Sequence, residues 1–163
     1  VHMADALMKI VKLKPVEVRA TGWSHKLPSL TPVAVKGYDL CDTEIRFENG
    51  ASLQLDASWA GYTRHGDEFG ASFMGSRGGA DIHVKDYAET GTLEFYGDID
   101  NVPTVTTPTL LKRHGHGELI EGFDKAILAG RPVSPDGTEG LERVRLIECI
   151  YRSAELGREV SFD

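Results

Sequence analysis

A chain of 163 residues with 40% hydrophobic side chains is long enough to close one core of ordinary size, and its length bounds a single domain over residues 1–163. Eighteen Lys and Arg against 25 Asp and Glu leave a net charge of -7, which argues against nucleic-acid binding, and no Lys/Arg run offsets the balance locally. No apolar run approaches the ~20 residues of a membrane span, and the first residues alternate charged with apolar groups, unlike a signal peptide.

The first element is a short amphipathic helix, with Met3, Ala6, Leu7, Ile10 and Val11 at helical spacing and Pro15 ending it. Val16, Val18 and Ala20 then alternate with Glu17, Arg19 and Thr21 as a half-buried strand, and Gly22 to Val33 is loop-like, with Pro28 and Pro32. Thr43 to Trp59 is a hairpin around Glu48-Asn49-Gly50. A two-residue loop would oppose Phe47 to Ser52. A three-residue loop with Gly50 at positive φ opposes Phe47 to Ala51 and Ile45 to Leu53, with Arg46–Ser52 and Glu44–Gln54 on the other face.

Phe69 to Met74 and Ala80 to Lys85 form a second strand pair across Gly75–Gly79, and Thr92 to Tyr96 adds another strand. A helix from about Gly117 to Ala129 carries Leu119, Ile120, Phe123, Ala126 and Ile127 on one face and stops at Gly130 and Pro132. Asp136 and Glu139 have the spacing of a capping box ahead of a second helix, striped by Leu141, Val144, Ile147, Tyr151 and Ala154 and stopped by Gly157. The expected fold class is α+β: a large, predominantly antiparallel β-sheet with helices covering one face. Ile45, Phe47, Leu53, Leu55, Phe123, Ile127, Val144, Ile147 and Tyr151 are expected in its core.

Cys41 and Cys149 lie far apart without metal-ligand spacing, which predicts free thiols and a reducing, cytoplasmic setting. His65, His83, His114 and His116 lack the companions that a zinc site needs, so no metal is expected. Gly75-Ser76-Arg77-Gly78-Gly79 reads as a hairpin turn, because strands flank it where a phosphate-binding glycine loop leads into a helix. Trp59-Ala60-Gly61-Tyr62-Thr63-Arg64-His65 gathers two aromatics, a cation and an imidazole at a strand end, a set able to stack on a sugar ring and bind its hydroxyls. Trp59 continues the Leu53, Leu55, Ala57 alternation and belongs to the core face, leaving Tyr62, Arg64 and His65 as candidate substrate contacts.

Glu118 to Pro132, Asp136-Gly137, Leu141 to Gly157 and Arg158-Glu159-Val160, together with Val1 to Asp5, resemble the substrate domain of the Gfo/Idh/MocA family of NAD(P)-dependent sugar and polyol dehydrogenases. The resemblance is strongest from Glu118 to Val160, fair for Asp42 to Trp59, and weakest over Ser24–Tyr38 and Tyr87–Lys112. Members of that family begin with a dinucleotide-binding domain, so the chain is expected to be the second half of an enzyme; its start at Val1 is a hint of the same, although residues added ahead of Met3 would look alike.

The resemblance implies NAD or NADP in the full-length enzyme, none bound by this chain alone, and a small sugar or polyol substrate. In the family a histidine closes an Asp-x-x-x-His motif that leads into the first helix and works with a lysine of the nucleotide domain in proton transfer at the substrate hydroxyl. Val1-His2 represents the end of that motif, which makes His2 the candidate catalytic group; imidazole suits the task near neutral pH. The family also implies a homo-oligomer through the open sheet face, here Glu44, Arg46, Gln54 and Asp56. The alternative is a stand-alone α+β binding or assembly domain that shares the fold without the chemistry.

Overall fold

A computed structural model describes residues 2–26, 29, 37–63, 66–86, 88, 91–111 and 115–162. The class is the expected α+β. The antiparallel strands are divided between two four-stranded sheets, and the chain forms two compact units, Val1–Tyr62 with Gly137–Asp163, and Thr63–Asp136. Alternation along a strand specifies its faces and not its neighbours, so this division is invisible in the periodicity.

In the first unit, α1 (His2–Val11), β1 (Pro15–Trp23), β2 (Leu40–Phe47), β3 (Ser52–Ser58), α3 (Gly137–Leu156) and β8 (Val160–Ser161) build a sheet of order β3-β2-β1-β8. The hairpin has the expected register: Ile45 opposes Leu53, Arg46 opposes Ser52 and Glu44 opposes Gln54. Phe47 N donates to Ala51 O at 2.9 Å, Gly50 takes φ 86°, and the Asn49 carboxamide oxygen accepts from Ala51 N at 3.0 Å. Only a residue free of Cβ crowding adopts that φ without strain.

Val18, Ala20, Ile45 and Phe47 of the sheet, Ala4 and Met8 of α1, Leu146 and Ile150 of α3, and Val160 form the core. Leu53 and Leu55 are half-buried at its edge. Val16 is exposed, against expectation, because the β1–β2 register shifts between Pro15 and Glu17 and Pro15 takes the inward position opposite Phe47; a bulge moves one residue out of the alternation.

The helical stripes also differ from those expected. In α1, Ala4, Leu7 and Met8 are buried and Ile10 is exposed; in α3, Leu146, Ile150 and Ser153 are buried, while Leu141, Val144 and Tyr151 are exposed and Ile147 is half-buried. Each helix has an apolar arc wider than the surface it covers, and spacing alone does not say which part of the arc meets the sheet.

Ser153, fully buried, joins α3 to β1. Strand β8 pairs only with Glu17 and Val18, so the ladder on that side of β1 stops short of Ala20, and Ala20 N donates to Ser153 Oγ at 2.8 Å. The same hydroxyl donates to Arg158 O at 2.7 Å, just beyond the αL residue Gly157 (φ 65°) that ends α3. One side chain thus serves two backbone groups that have left regular pairing.

The second unit contains β4 (Glu68–Gly75), β5 (Gly78–Lys85), β6 (Thr92–Ile99), β7 (Val102–Thr106) and α2 (Gly115–Leu128), with sheet order β4-β5-β6-β7. The β4–β5 turn is tighter than expected, closing over Ser76-Arg77 with Gly75 opposite Gly78. Strand β7 was not anticipated; it ends the sheet and carries Pro103 opposite Asp98. One sheet face bears Phe69, Phe73, Ile82, Leu93, Phe95 and Ile99. The other bears the Ser72–Asp81 hydrogen bond (2.6 Å) and the His83–Glu68 contact (3.3 Å).

Helix α2 ends as its glycine indicates: Gly130 has φ 62°, its N–H reaches Ile127 O at 3.0 Å, and Arg131 N reaches Ala126 O at 2.9 Å, the paired bonds of a Schellman cap. Ala126 is its one buried residue, whereas Phe123 and Ile127 are exposed, contrary to the expected core. Their apolar spacing forms a coherent face without burying it, so Phe123→Ala is no cavity-forming change.

Ser153→Ala is expected to lower stability by about 1 to 3 kcal/mol, because the Ala20 N–H and the Arg158 carbonyl lose a buried partner together. Urea unfolding of the variant beside the wild-type chain measures this, and coincident midpoints would contradict it.

Candidate functional site

The ends of three strands meet where Trp23 opposes Leu40 and Leu40 opposes Ser58, and the residue just before this row, Asp39, organises what surrounds it. Asp39 is buried. Its N–H donates to Trp23 O at 2.8 Å, and its carbonyl accepts from Trp59 N at 3.3 Å and from Ser58 Oγ at 3.0 Å. Its carboxylate accepts from the Lys26 backbone N–H at 2.5 Å. A carboxylate holding a loop N–H is a strong, charge-assisted anchor, and here it ties the segment after β1 to the start of β2 and the end of β3.

Ser58 Oγ accepts from Gly61 N at 2.8 Å, turning the chain so that Tyr62 stands 95% exposed. The Lys26 ammonium lies 3.7 Å from the Tyr62 ring centroid and also donates to Ala60 O; a cation over a phenol face is a stabilising quadrupole contact. Trp59 is exposed, which corrects its assignment to the core. Strand β3 ends at Ser58, one residue too early for the alternation to carry the indole inward, and Trp59 Nε1 donates to Tyr38 O at 3.1 Å.

Tyr38 stacks on Tyr151 of α3, with centroids 5.4 Å apart and planes at 24°. Gly22 makes room for this, since a Cβ there would stand 2.5 Å from the Tyr38 ring. Burial is the largest influence on the Tyr38 phenol, followed by the Glu155 carboxylate, and both raise its pKa above the usual tyrosine value. The result is an aromatic rim of exposed Trp59 and Tyr62 with the Lys26 cation, held by hydrogen bonds to backbone groups and backed by Tyr38, whose ring is taken up by Tyr151 and Gly22; the exposed rings suit stacking on the C–H face of a sugar. Lys26, Tyr38 and Asp39 were missed in the sequence because they lie where the chain is loop-like and patternless; a Tyr-Asp pair immediately ahead of a strand was the available signal.

His2 is the first residue of α1 and is exposed. Among the described residues, no hydrogen bond, ion pair or ring contact joins it to Tyr62. Arg64, His65 and His114 lie outside the described residues. Also among the described residues, no three His, Cys, Asp or Glu side chains converge as a metal site would require, and no disulfide joins Cys41 to Cys149.

Gly75–Gly79 sits in the β4–β5 hairpin. Its glycines allow backbones to approach, as a Cβ on Gly78 would meet Tyr96 O at 2.5 Å and one on Gly79 would meet Phe73 O at 2.6 Å. This is not the strand-to-helix loop that cradles a dinucleotide pyrophosphate, so these residues do not fit that cofactor. On the outer face of the first sheet, Arg19, Thr21, Asp42, Glu44, Gln54 and Asp56 line an open polar concavity of about 350 Å³, and Arg46 pairs with Glu17 through Nε–Oε1 (3.1 Å) and Nη2–Oε2 (3.2 Å).

Residues 1–162 match the C-terminal alpha/beta domain of the Gfo/Idh/MocA oxidoreductase family; the chain belongs to that family. Solved structures with the same fold include an aldose-aldose oxidoreductase from Caulobacter crescentus complexed with glycerol (TM-score 0.78, 19% identity, 98% of this chain and 45% of that one). Others are a UDP-N-acetylglucosamine 3-dehydrogenase from Acidithiobacillus ferrooxidans (0.73, 22%, 95% and 45%) and a levoglucosan dehydrogenase in complex with NADH (0.77, 23%, 99% and 48%). The chain therefore spans a little under half the length of these proteins. Comparison with curated protein sequences gives no significant match.

Because the folded state favours the neutral Tyr38 phenol, the stability it contributes is complete below the ordinary tyrosine pKa and is lost as pH rises through the raised one. Ultraviolet absorbance titration of the wild type and of Tyr38→Phe should differ by one phenol that ionises above pH ~10. A difference curve centred below that value would contradict the environment described.

Proposed function

We propose that this chain is the substrate-binding and oligomerisation half of an NAD(P)-dependent sugar or polyol dehydrogenase, one that transfers a hydride between nicotinamide and a secondary alcohol or ketone. The observation that carries this reading is the match of residues 1–162 to the family's C-terminal domain, in a chain that covers less than half of each solved relative. Relatives complexed with glycerol or with NADH and levoglucosan support a small polyhydroxylated substrate and a nicotinamide cofactor.

Within this chain the division of labour follows the chemistry. Oxidising a carbinol requires removal of its hydroxyl proton, and His2 is the group assigned to take or relay it, alongside a lysine from the nucleotide-binding half. Tyr62, with Arg64 and His65, contacts the substrate, and the Trp59 and Tyr62 rings offer faces for its C–H bonds. The polar outer face around Glu44, Arg46, Gln54 and Asp56 joins copies of the protein into a homo-oligomer. Two cysteines not joined to each other in a disulfide support a cytoplasmic location, and no described helix is long and apolar enough to cross a membrane.

In the full-length enzyme, His2→Ala should lower kcat by about 10²- to 10⁴-fold, the range for a general acid–base group, with cofactor affinity nearly unchanged. Near-normal turnover of this variant across roughly pH 6 to 9 would remove His2 from the mechanism. The chain by itself should bind neither NADH nor NADPH appreciably; saturable binding at about micromolar concentration in a calorimetric titration would contradict the assignment of the cofactor to the other half.

A further inference from the structure

Asp5 and Arg143 tie α1 to α3 from opposite ends of the chain. Arg143 Nε donates to Asp5 Oδ1 at 2.8 Å, with the arginine side chain only 11% exposed. Lys9 Nζ lies 3.8 Å from Asp5 Oδ2 and 3.5 Å from Glu139 Oε2, and Arg143 Nη1 reaches Glu142 Oε2 at 3.2 Å. The Asp5–Arg143 contact is the shortest and least solvated of these, where a charge-assisted hydrogen bond most strongly fixes geometry.

Asp5 follows His2 by three residues, and helix positions i and i+3 share a face. The ion pair grips α1 at Asp5, on the helix face that His2 shares and one turn from it. We propose that Arg143, acting through Asp5, is a positioning residue for His2: it fixes the rotation of the first turn of α1 and hence the placement of the imidazole. This inference rests on the reading of His2 as the proton-transfer group.

The test is a double-mutant cycle in the full-length enzyme, comparing wild type, His2→Ala, Arg143→Met and the double variant. Arg143→Met should lower kcat by about 10-fold or more in the wild-type background, since small misplacements of a reacting group have effects of this order, while KM for the nicotinamide cofactor is unchanged. In the His2→Ala background the same substitution should cost less than about 2-fold, because the group it positions is gone. Equal losses in both backgrounds, or no loss in the wild-type background, overturn the positioning role and leave that of His2 standing. Wild-type turnover in His2→Ala overturns the reading of His2 and the positioning role with it. Asp5→Asn removes the charge pair with little change of shape; it should show the same non-additivity, and it decides the matter if circular dichroism shows Arg143→Met to be unfolded.

Discussion

The first unit depends on how α3 is fastened to a sheet whose ladder runs out before the strand does. Strand β1 continues beyond the two residues of β8, and Ser153 supplies the acceptor that Ala20 would otherwise lack. A serine inside a helix is usually a mild liability, since its hydroxyl competes for backbone groups. Here the helix presents that hydroxyl to the neighbouring strand and to the carbonyl of Arg158, so the apolar contacts of Leu146 and Ile150 are locked in one register. Apolar packing alone would tolerate a sliding helix; the hydrogen-bond pair does not.

With α3 fixed in register, two of its other side chains act at a distance from the core. Tyr151 stacks on Tyr38 at the aromatic rim, and Arg143 holds Asp5 of α1. Eight residues separate them, about 12 Å along the helix axis. One element therefore supports both candidate groups, and a disturbance of its register would reach the rim and the His2 turn together.

What could be read from the sequence was whatever a local rule decides alone. Gly50 and the facing pairs Ile45–Leu53 and Glu44–Gln54 fixed the hairpin, because a slip of one residue would invert every side chain. Gly130 and Gly157 fixed two helix ends for a similarly local reason. The faces of α1 and α3 were legible only as apolar arcs, since Ala4 or Ala6, and Leu146 or Val144, are chosen by the sheet they meet. Val16 depended on a bulge and Trp59 on where β3 ends, both tertiary outcomes. Of the candidate residues, His2 was named through resemblance and Tyr62 through composition, whereas the grouping of Lys26, Tyr38 and Asp39 depends on three strand ends arriving at one row, which no spacing along the chain encodes.

Pro103 in β7 has a consequence for assembly. It lies in the terminal strand of the second sheet, among Val102 and Val105, which are both exposed, a stretch whose β-branched side chains favour extended backbone. An open edge of that kind is a template on which a neighbouring molecule can continue the sheet. Proline has no N–H to offer, so the row of donors is interrupted. That interruption works against runaway strand addition by polypeptides still emerging or refolding, since an incoming strand would find one of its acceptors without a donor.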